Sequence, residues 1–369
     1  MIDRYLTPQV QTTLDEGLVA ILYGARQTGK TTLAKHILQA ATKSLYLDCD
    51  DPAVRLRLSD QPLTALKALL GDAELVVIDE AQRVANIGLT AKLIHDNMPR
   101  KKLLLTGSSS LDLANKIKEP LTGRSRELLL YPLALKEVAN TLPEADGYLP
   151  RMLVYGGYPG LWRVTEEAAA ARARDIANNY LYRDAFALGT VYDTTVMDTL
   201  LRLLAYQVGS EVSYSELASN LEVSKQTVMR YVDLLEKAFV VFRLPQFRKN
   251  LRVQVGRLRK IYFYDLGMRN ALIDDFKPLE LRGDVGALWE NFMMLERRKK
   301  HQAAGQYVRS YYWRSRDKQE VDLVEDAANT LTAYESKWRK KESIPRGFTG
   351  SYPDVQAEFF TKDTYWQLM

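Results

Sequence analysis

The sequence predicts an α/β protein that begins with a parallel β-sheet, continues through helices and ends in a second α/β domain. Short, continuous apolar runs at residues 18–23, 75–78 and 103–105 are typical of strands buried on both faces of a parallel sheet. Residues 31–41, after the first run, show helical periodicity instead. The chain has 369 residues, 46% of them apolar and 26% charged, which is an ordinary globular composition for two or three domains.

Composition also excludes several classes of protein. No apolar run approaches the roughly 18 residues that cross a membrane, and the amino terminus lacks the basic and then apolar profile of a signal peptide. The single cysteine, Cys49, permits no internal disulfide, and the three histidines do not have the spacing of zinc ligands. We therefore expect a cytoplasmic protein without membrane contacts or structural zinc.

A glycine-rich loop follows the first predicted strand. Residues 24–31 match the pattern G-x-x-x-x-G-K-[ST] and lie between a strand and a helix. Glycines let backbone N–H groups close around phosphate oxygens at a helix amino terminus, where the helix dipole also favours an anion. We expect Lys30 to neutralise the β- and γ-phosphates and Thr31 to bind Mg²⁺. The expected nucleotide-binding residues are Gly24, Ala25, Arg26, Gln27, Thr28, Gly29, Lys30, Thr31 and Thr32.

Two carboxylates end the second apolar run. A buried strand tolerates Asp79 and Glu80 only where they face a cation or water at its carboxyl end. The segment therefore resembles a Walker B strand. In that interpretation, Asp79 helps to hold the Mg²⁺, and Glu80 orients or polarises the water that attacks the γ-phosphate.

Two polar residues near later strands are further catalytic candidates. Ser108 follows the third apolar run and would present a hydroxyl near the γ-phosphate; the alternative is an ordinary turn. Arg124 precedes a fourth run at residues 128–131 and would meet a transferring phosphoryl group in its own or a neighbouring site. The alternative for Arg124 is a surface position in a turn.

Five short motifs occur together in this part of the chain, at residues 4–6, 24–31, 79–82, 106–109 and 123–124. They read Arg-Tyr-Leu, a Gly-Ala-Arg-Gln phosphate loop, Asp-Glu-Ala-Gln, Thr-Gly-Ser-Ser and Gly-Arg. By these motifs the chain resembles the AAA+ class of P-loop ATPases, and within it a large bacterial and archaeal family. The resemblance implies binding and hydrolysis of ATP with Mg²⁺. It also implies a carboxy-terminal domain of unknown function, whose two signatures stand at residues 155–159 and 180–184.

The middle of the chain predicts a helix-turn-helix. A helix cap begins residues 213–218, a turn occupies residues 221–224, and residues 225–239 continue as an amphipathic helix. Runs at residues 240–243 and 260–264 would pair as the strands of a wing. The residues of the second helix expected to face inward are Val228, Val232, Leu235 and Ala238.

Charge suggests what this winged helix would contact. The chain has 51 basic and 46 acidic residues, a net charge of +5, and residues 243–260 contain seven basic and no acidic side chains. A basic wing beside a recognition helix suits phosphates of duplex DNA. The expected DNA-binding residues are Lys225, Gln226, Thr227, Arg230, Arg248, Lys249, Arg252, Arg257 and Arg259. The alternative for the winged helix is a structural lid or a protein-docking module, and the alternative for the basic run is a solvated loop. Further basic clusters stand at residues 297–300 and 337–341.

The last hundred residues contain a candidate second metal site. A predicted helix carries Glu290, and two predicted strands at residues 320–324 and 332–338 carry Asp322, Glu335 and Lys337. This order resembles the restriction-endonuclease-like fold. In that resemblance Asp322 and Glu335 bind Mg²⁺, Glu290 completes the ligand set, and Lys337 positions water. An inactive fold that still binds DNA is the open alternative.

These patterns together predict four segments: an AAA+ core over residues 1–137, a helical connector over 138–206, a winged helix over 207–265 and a restriction-endonuclease-like domain over 266–369. The expected function is an ATPase that binds and remodels or translocates on duplex or branched DNA. A trans-acting Arg124 would require a homo-oligomer. Two alternatives stay open: an ATP-dependent signalling switch that acts on a protein partner, and an ATP-gated, Mg²⁺-dependent nuclease.

Overall fold

The computed structural model describes residues 2–107, 120–178, 193–248, 259–328, 330–338 and 343–369. The chain divides into two compact units. The first contains residues 1–132 and 237–239, and the second contains residues 133–236 and 240–369. None of the helices within the described ranges combines the length and the apolar character that a membrane span requires.

The first unit is an α/β layer built on five parallel strands in the order β2-β3-β4-β1-β5. Its strands are β1 Val19–Tyr23, β2 Ser44–Asp48, β3 Leu75–Asp79, β4 Lys102–Gly107 and β5 Ser125–Leu129. Its helices are α1 Thr7–Asp15, α2 Lys30–Gln39, α3 Pro52–Leu58, α4 Leu63–Leu70 and α5 Ile87–Asn97. The predicted α/β fold with a parallel sheet is confirmed. The fourth apolar run belongs to a strand that begins earlier than expected, at Ser125.

Both faces of this sheet are covered. Val19 and Ile21 of β1 pack into one buried apolar cluster, whereas Ala20 and Leu22 pack into another. Successive side chains of a strand point to opposite faces, so a strand with two covered faces is apolar at every position. This arrangement explains the continuous apolar runs of the sequence.

The carboxyl ends of the strands meet at one edge of the sheet. Asp48 at the end of β2 pairs in register with Asp79 at the end of β3. Tyr23 at the end of β1 pairs with Gly107 at the end of β4. Because all five strands are parallel, the segments that follow β1, β3 and β4 leave the sheet at this same edge.

The second unit is also mixed α/β, and its described residues form two further sheets. Its helices are α6 Leu135–Val138, α7 Leu142–Tyr155, α8 Glu166–Ile176, α9 Thr194–Tyr206, α10 Tyr214–Asn220, α11 Lys225–Lys237, α12 Leu266–Leu272, α13 Val285–Ala303, α14 Arg346–Ser351 and α15 Tyr365–Leu368. Its strands are β6 Glu211–Val212, β7 Val241–Pro245, β8 Arg259–Phe263, β9 Arg309–Arg314, β10 Glu320–Ala327, β11 Thr330–Ser336 and β12 Gln356–Phe360.

The two sheets differ in topology. The smaller has the order β6-β8-β7 and is antiparallel, so the two strands expected to pair as a wing do pair. The larger has the order β12-β11-β10-β9, with antiparallel pairs around β10 and a parallel pair between β11 and β12. Beyond β7, the Phe247 N–H donates to the Tyr312 carbonyl at 2.6 Å, which connects the small sheet to β9.

The glycines after α7 form a tight packing junction with α12. Gly156 ends α7 with φ at +78°, and a Cβ there would lie 2.1 Å from the Asp265 carboxylate. A Cβ on Gly267 would lie 2.0 Å from the Tyr155 carbonyl oxygen. The buried Asp265 carboxylate accepts hydrogen bonds from the N–H groups of Gly157 and Met268, at 2.7 and 3.0 Å. The signature at residues 155–159 therefore has a packing role, while the signature at residues 180–184 lies outside the described residues.

The basic cluster at residues 297–300 is largely internal. The buried Arg297 forms an ion pair with Glu325. Lys299 is also buried and donates to the Leu133 carbonyl and to Glu296, both at 2.8 Å. These charges hold α13 inside the second unit, since buried cations require anionic or carbonyl partners.

Candidate functional site

The two glycines of the phosphate loop are required by its geometry. Gly29 precedes α2 with φ at +97°, in the left-handed region that side chains rarely adopt. Gly24 has φ at +148°, and a Cβ there would lie 2.5 Å from the Leu130 carbonyl oxygen. The loop can therefore turn from β1 into α2 only with glycine at both positions.

Lys30 begins α2, and its side chain folds back across the loop. Its buried Nζ donates to the carbonyl oxygens of Gly24 and Ala25, at 2.9 and 2.8 Å. The Thr28 hydroxyl also donates to the Ala25 carbonyl, at 2.8 Å. The predicted phosphate-binding lysine is thus placed inside the predicted loop.

Asp79 lies at the end of β3 among three hydroxyl groups. The Thr31 hydroxyl donates to Asp79 Oδ2 at 2.8 Å, and the Tyr46 hydroxyl donates to the same oxygen. The buried Thr106 hydroxyl donates to Oδ1. Four elements, α2, β2, β3 and β4, therefore fix this carboxylate.

The sequence pattern identified Thr31 and Asp79 but neither Tyr46 nor Thr106. Thr106 stands in the Thr-Gly-Ser-Ser motif, where Ser108 was the predicted hydroxyl; Ser108 itself lies outside the described residues. Tyr46 belongs to no motif, and only its place on the neighbouring strand brings it to Asp79. Burial and the hydrogen bond to Asp79 raise the pKa of Tyr46, so its hydroxyl remains a donor.

Glu80 leaves the strand with an unusual backbone. Its φ of +52° and ψ of +41° lie in the left-handed region, which is strained for a residue other than glycine. Its N–H donates to the Thr106 hydroxyl at 3.2 Å, and its carboxylate accepts from Gln82 Nε2 at 2.6 Å. The second predicted carboxylate is therefore held at the same sheet edge as Asp79.

Arg124 lies at the opposite edge of the sheet. Its carbonyl oxygen accepts from the N–H of Val19, at the start of β1, at 2.9 Å. The phosphate loop lies beyond the other end of β1. The four residue steps along this strand span roughly 13 Å. The Arg124 guanidinium instead forms an ion pair with Asp96, at 2.8 Å. Arg124 therefore does not contact the nucleotide site of its own chain, because the parallel strands place the start of β5 away from the phosphate loop.

These residues fit a magnesium–nucleotide complex. The Thr31 hydroxyl and Asp79 carboxylate provide oxygen ligands, which Mg²⁺ prefers. Lys30 provides a positive charge within the loop, next to a helix amino terminus that favours anions. The donor set thus suits the polyphosphate and its metal.

The predicted helix-turn-helix residues form two helices with a short turn. The Ser213 hydroxyl caps α10 by accepting from the Glu216 N–H at 3.4 Å, and the Ser224 hydroxyl accepts from the Thr227 N–H at 3.1 Å at the start of α11. All four residues predicted to face inward are buried. The predicted DNA-facing side chains on α11 are exposed, apart from the half-buried Thr227; they are Lys225, Gln226 and Arg230.

The basic run that follows does not face solvent uniformly. Arg243 is paired with Glu236 and Asp233, and Lys260 is buried. Arg248 is exposed and donates to Gln246, while Arg259 is half-buried at the start of β8. Three predicted DNA-binding residues lie outside the described residues: Lys249, Arg252 and Arg257.

Two members of the predicted second metal site, Asp322 and Glu335, lie on adjacent strands, and a third, Lys337, directly follows β11. Asp322 on β10 is buried, and its Oδ2 accepts from the Ser336 N–H at 2.9 Å. Glu335 is the last residue but one of β11, and its Oε2 lies 3.2 Å from Lys337 Nζ. Burial, reinforced by the neighbouring Glu335 charge, raises the pKa of Asp322 to about 6. The structure therefore brings together Asp322, Glu335 and Lys337.

Glu290 does not complete a metal-ligand set. Its Oε1 accepts from Lys260 Nζ at 2.9 Å and from the Tyr262 hydroxyl at 2.6 Å. Within the described ranges, which include Glu290, Asp322 and Glu335, no group of three such side chains could hold a metal ion. The prediction that Glu290 completes a three-carboxylate metal site is therefore wrong, because a lysine from β8 already neutralises Glu290.

Three family models match successive parts of the chain. An AAA domain matches residues 16–139, and two domains of unknown function, DUF8612 and DUF4143, match residues 147–279 and 285–364. The chain is 32% identical to the uncharacterized protein Rv2008c of Mycobacterium tuberculosis over 361 residues, 96% of this chain and 78% of that protein. The chain belongs to the Rv2008c family. The uncharacterized protein MJ1637 of Methanocaldococcus jannaschii is 25% identical, covering 78% of this chain and 69% of its own.

A solved structure shows the same fold. The Walker-type ATPase PABY2304 of Pyrococcus abyssi superposes with a TM-score of 0.53 at 16% identity, over 74% of this chain and 96% of that one. This member of the Rv2008c family therefore has an AAA+ ATPase core with a five-stranded parallel sheet, followed by DUF4143. The predicted AAA+ P-loop core is confirmed.

Proposed function

We propose that the protein hydrolyses ATP with Mg²⁺ in its first unit, that it binds duplex or branched DNA through α11, and that DNA controls the rate of hydrolysis. The observation that carries the ATPase proposal is the Asp79 carboxylate, which Thr31, Tyr46 and Thr106 hold beside the phosphate loop. A carboxylate fixed in this way can bind a metal without reorganising. In this proposal, ATP hydrolysis drives remodelling of DNA or translocation along it.

Each residue of the site has a distinct role in this proposal. Bound ATP with its Mg²⁺ supplies the phosphoanhydride bond to be broken. Lys30 exchanges its contacts with the loop carbonyls for phosphate oxygens. Thr31 and Asp79 would hold the metal through their side-chain oxygen atoms. Glu80, steered by Gln82, accepts a hydrogen bond from the attacking water and polarises it.

The test of hydrolysis compares two glutamates at opposite ends of β3. Glu80→Gln should lower kcat by about 100-fold or more, since general-base catalysis typically contributes that much, with ATP binding retained. Glu74→Gln makes the same chemical change at an exposed position just before β3 and should leave kcat unchanged. A wild-type rate for Glu80→Gln would refute the assigned role, and loss of ATP binding by Lys30→Ala would support the loop assignment.

The DNA proposal rests on the exposed cations of α11. The first residues of a recognition helix contact base edges and phosphates, and Lys225 and Arg230 are exposed in this part of the helix. Arg230→Glu should weaken binding to duplex or four-way-junction DNA by about tenfold at fixed salt, because phosphate contacts dominate affinity. Lys237→Glu, the same charge reversal at the other end of α11, is the control and should bind normally. Equal effects of the two reversals, in fluorescence anisotropy, would contradict recognition by this helix.

A protein-partnered switch is the second candidate. The internal pairing of Arg243 and Lys260 leaves fewer cations for phosphate contacts than the sequence suggested. ATP hydrolysis that is slow and unchanged by single-stranded, duplex and junction DNA would favour this candidate.

We also propose a homo-oligomer. Arg124 lies at the edge opposite its own loop, so it can stabilise a transferring phosphoryl group only in a neighbouring subunit. A monomeric mass at saturating ATP in light scattering would contradict this assignment.

A further inference from the structure

A fully buried lysine lies among the carboxylates of the second unit. Lys260 on β8 is 1% exposed, and its Nζ lies 2.9 Å from Glu290 Oε1. The same ammonium forms an ion pair with Glu320 on β10. One side chain therefore connects the small sheet, the large sheet and α13, which carries Glu290.

Neighbouring donors complete the hydrogen bonds of these carboxylates. The Tyr262 hydroxyl donates to Glu290 Oε1 at 2.6 Å. Arg314 NH1 lies 3.5 Å from Glu320 Oε2 and 2.7 Å from Glu211 Oε2. Two cations thus form ion pairs with three carboxylates. We call this group of residues the Lys260 cluster: Lys260, Arg314, Glu211, Glu290 and Glu320.

Lys260 keeps its charge in this position. Glu290 and Glu320 supply the anionic partners that a buried ammonium requires. An ammonium with such partners is also difficult to remove, because its loss would leave buried carboxylates without a counter-charge.

We infer that Lys260 is the resident cation of this cluster and that it takes the place a divalent metal would need beside Glu290 and Asp322. A Mg²⁺ ion there would have to lie close to a fixed positive charge and compete with it for the Glu290 oxygen. The second unit then does not cleave DNA with Mg²⁺, although Asp322, Glu335 and Lys337 follow one another in the order that suggested a nuclease. The role of Lys260 is to hold the three elements together.

The test measures Mn²⁺ binding to the full-length, nucleotide-free protein by the electron paramagnetic resonance signal of free Mn²⁺. The wild type and Asp322→Asn should bind the same number of ions. Lys260→Ala removes the resident charge and opens space beside Glu290, so it should gain one Mn²⁺ site. Glu290→Gln in the Lys260→Ala background should abolish that added site.

Three results would overturn the inference. The first is loss of one bound Mn²⁺ in Asp322→Asn relative to the wild type. The second is DNA cleavage by the wild type in Mg²⁺ that Asp322→Asn abolishes. The third is a folded Lys260→Ala protein that binds no additional Mn²⁺. If Lys260→Ala does not fold, the comparison of wild type with Asp322→Asn decides alone. ATP hydrolysis enters none of these measurements, so their outcome is independent of the proposed ATPase.

Discussion

Replacing Gly267 with alanine should destabilise the second unit. The new Cβ would lie 2.0 Å from the Tyr155 carbonyl oxygen and 3.0 Å from Asp265 Oδ1. Ordinary van der Waals contact between the new Cβ and this oxygen requires a distance more than about 1 Å longer. Because the oxygen belongs to the backbone, α7 and α12 must move apart. Overpacking of this kind costs about 1–3 kcal/mol, whereas alanine gains at most about 1 kcal/mol over glycine in a helix. The expected net loss is about 1–2 kcal/mol.

Gly147 provides the matched control in α7. A Cβ at this position meets no atom within 4 Å. Gly147→Ala should therefore increase the free energy of unfolding by about 0.5–1 kcal/mol through helix propensity and a less flexible unfolded chain. The same substitution should have opposite signs in two helices that pack together, because only one of the two glycines is in close contact.

Tryptophan fluorescence in urea can follow the second unit alone. The five tryptophans of the chain all lie between residues 162 and 366, within that unit. Equal slopes for the wild type and both variants would make their midpoints directly comparable. A Gly267→Ala protein as stable as the wild type would refute the steric reasoning, and a destabilised Gly147→Ala protein would remove its control.

Three further predictions concern single side chains. Burial raises the pKa of Asp265 from 3.8 to about 6, so the unfolded state releases this proton first as pH rises. The wild type should therefore lose about 2 kcal/mol of stability relative to Asp265→Asn between pH 4 and pH 7. Parallel pH profiles of the urea midpoints would contradict it. Tyr46→Phe removes one hydrogen bond to Asp79, worth about 1 kcal/mol, and should raise the Mg²⁺ concentration for half-maximal hydrolysis about fivefold; an unchanged requirement counts against a positioning role. Arg124→Ala should lower kcat at least about tenfold without changing ATP affinity, and mixing it with inactive Glu80→Gln subunits should restore hydrolysis, whereas no recovery would argue against action between subunits.

Local sequence patterns were sufficient to predict the part of the nucleotide site that consists of residues close together in the sequence. The spacing of Gly24, Gly29 and Lys30 is set by the path from a strand into a helix, and the loop has the expected form. The same holds for the faces of α11, because helical periodicity alone separates Val228 from Arg230. Parallel strands likewise follow from apolar runs that require cover on both faces.

Contacts between distant segments required the tertiary structure. Tyr46 and Thr106 reach Asp79 from neighbouring strands, 33 and 27 positions away, and no spacing rule connects them. Lys260 appeared in the sequence as part of a basic run, yet packing buries it against Glu290, 30 positions later. A charge pattern records which side chains are cationic, whereas burial and partners depend on how sheets and helices pack. The sequence thus determined the phosphate loop and the strand layout, and the tertiary structure decided which charges face solvent and which hold the second unit together.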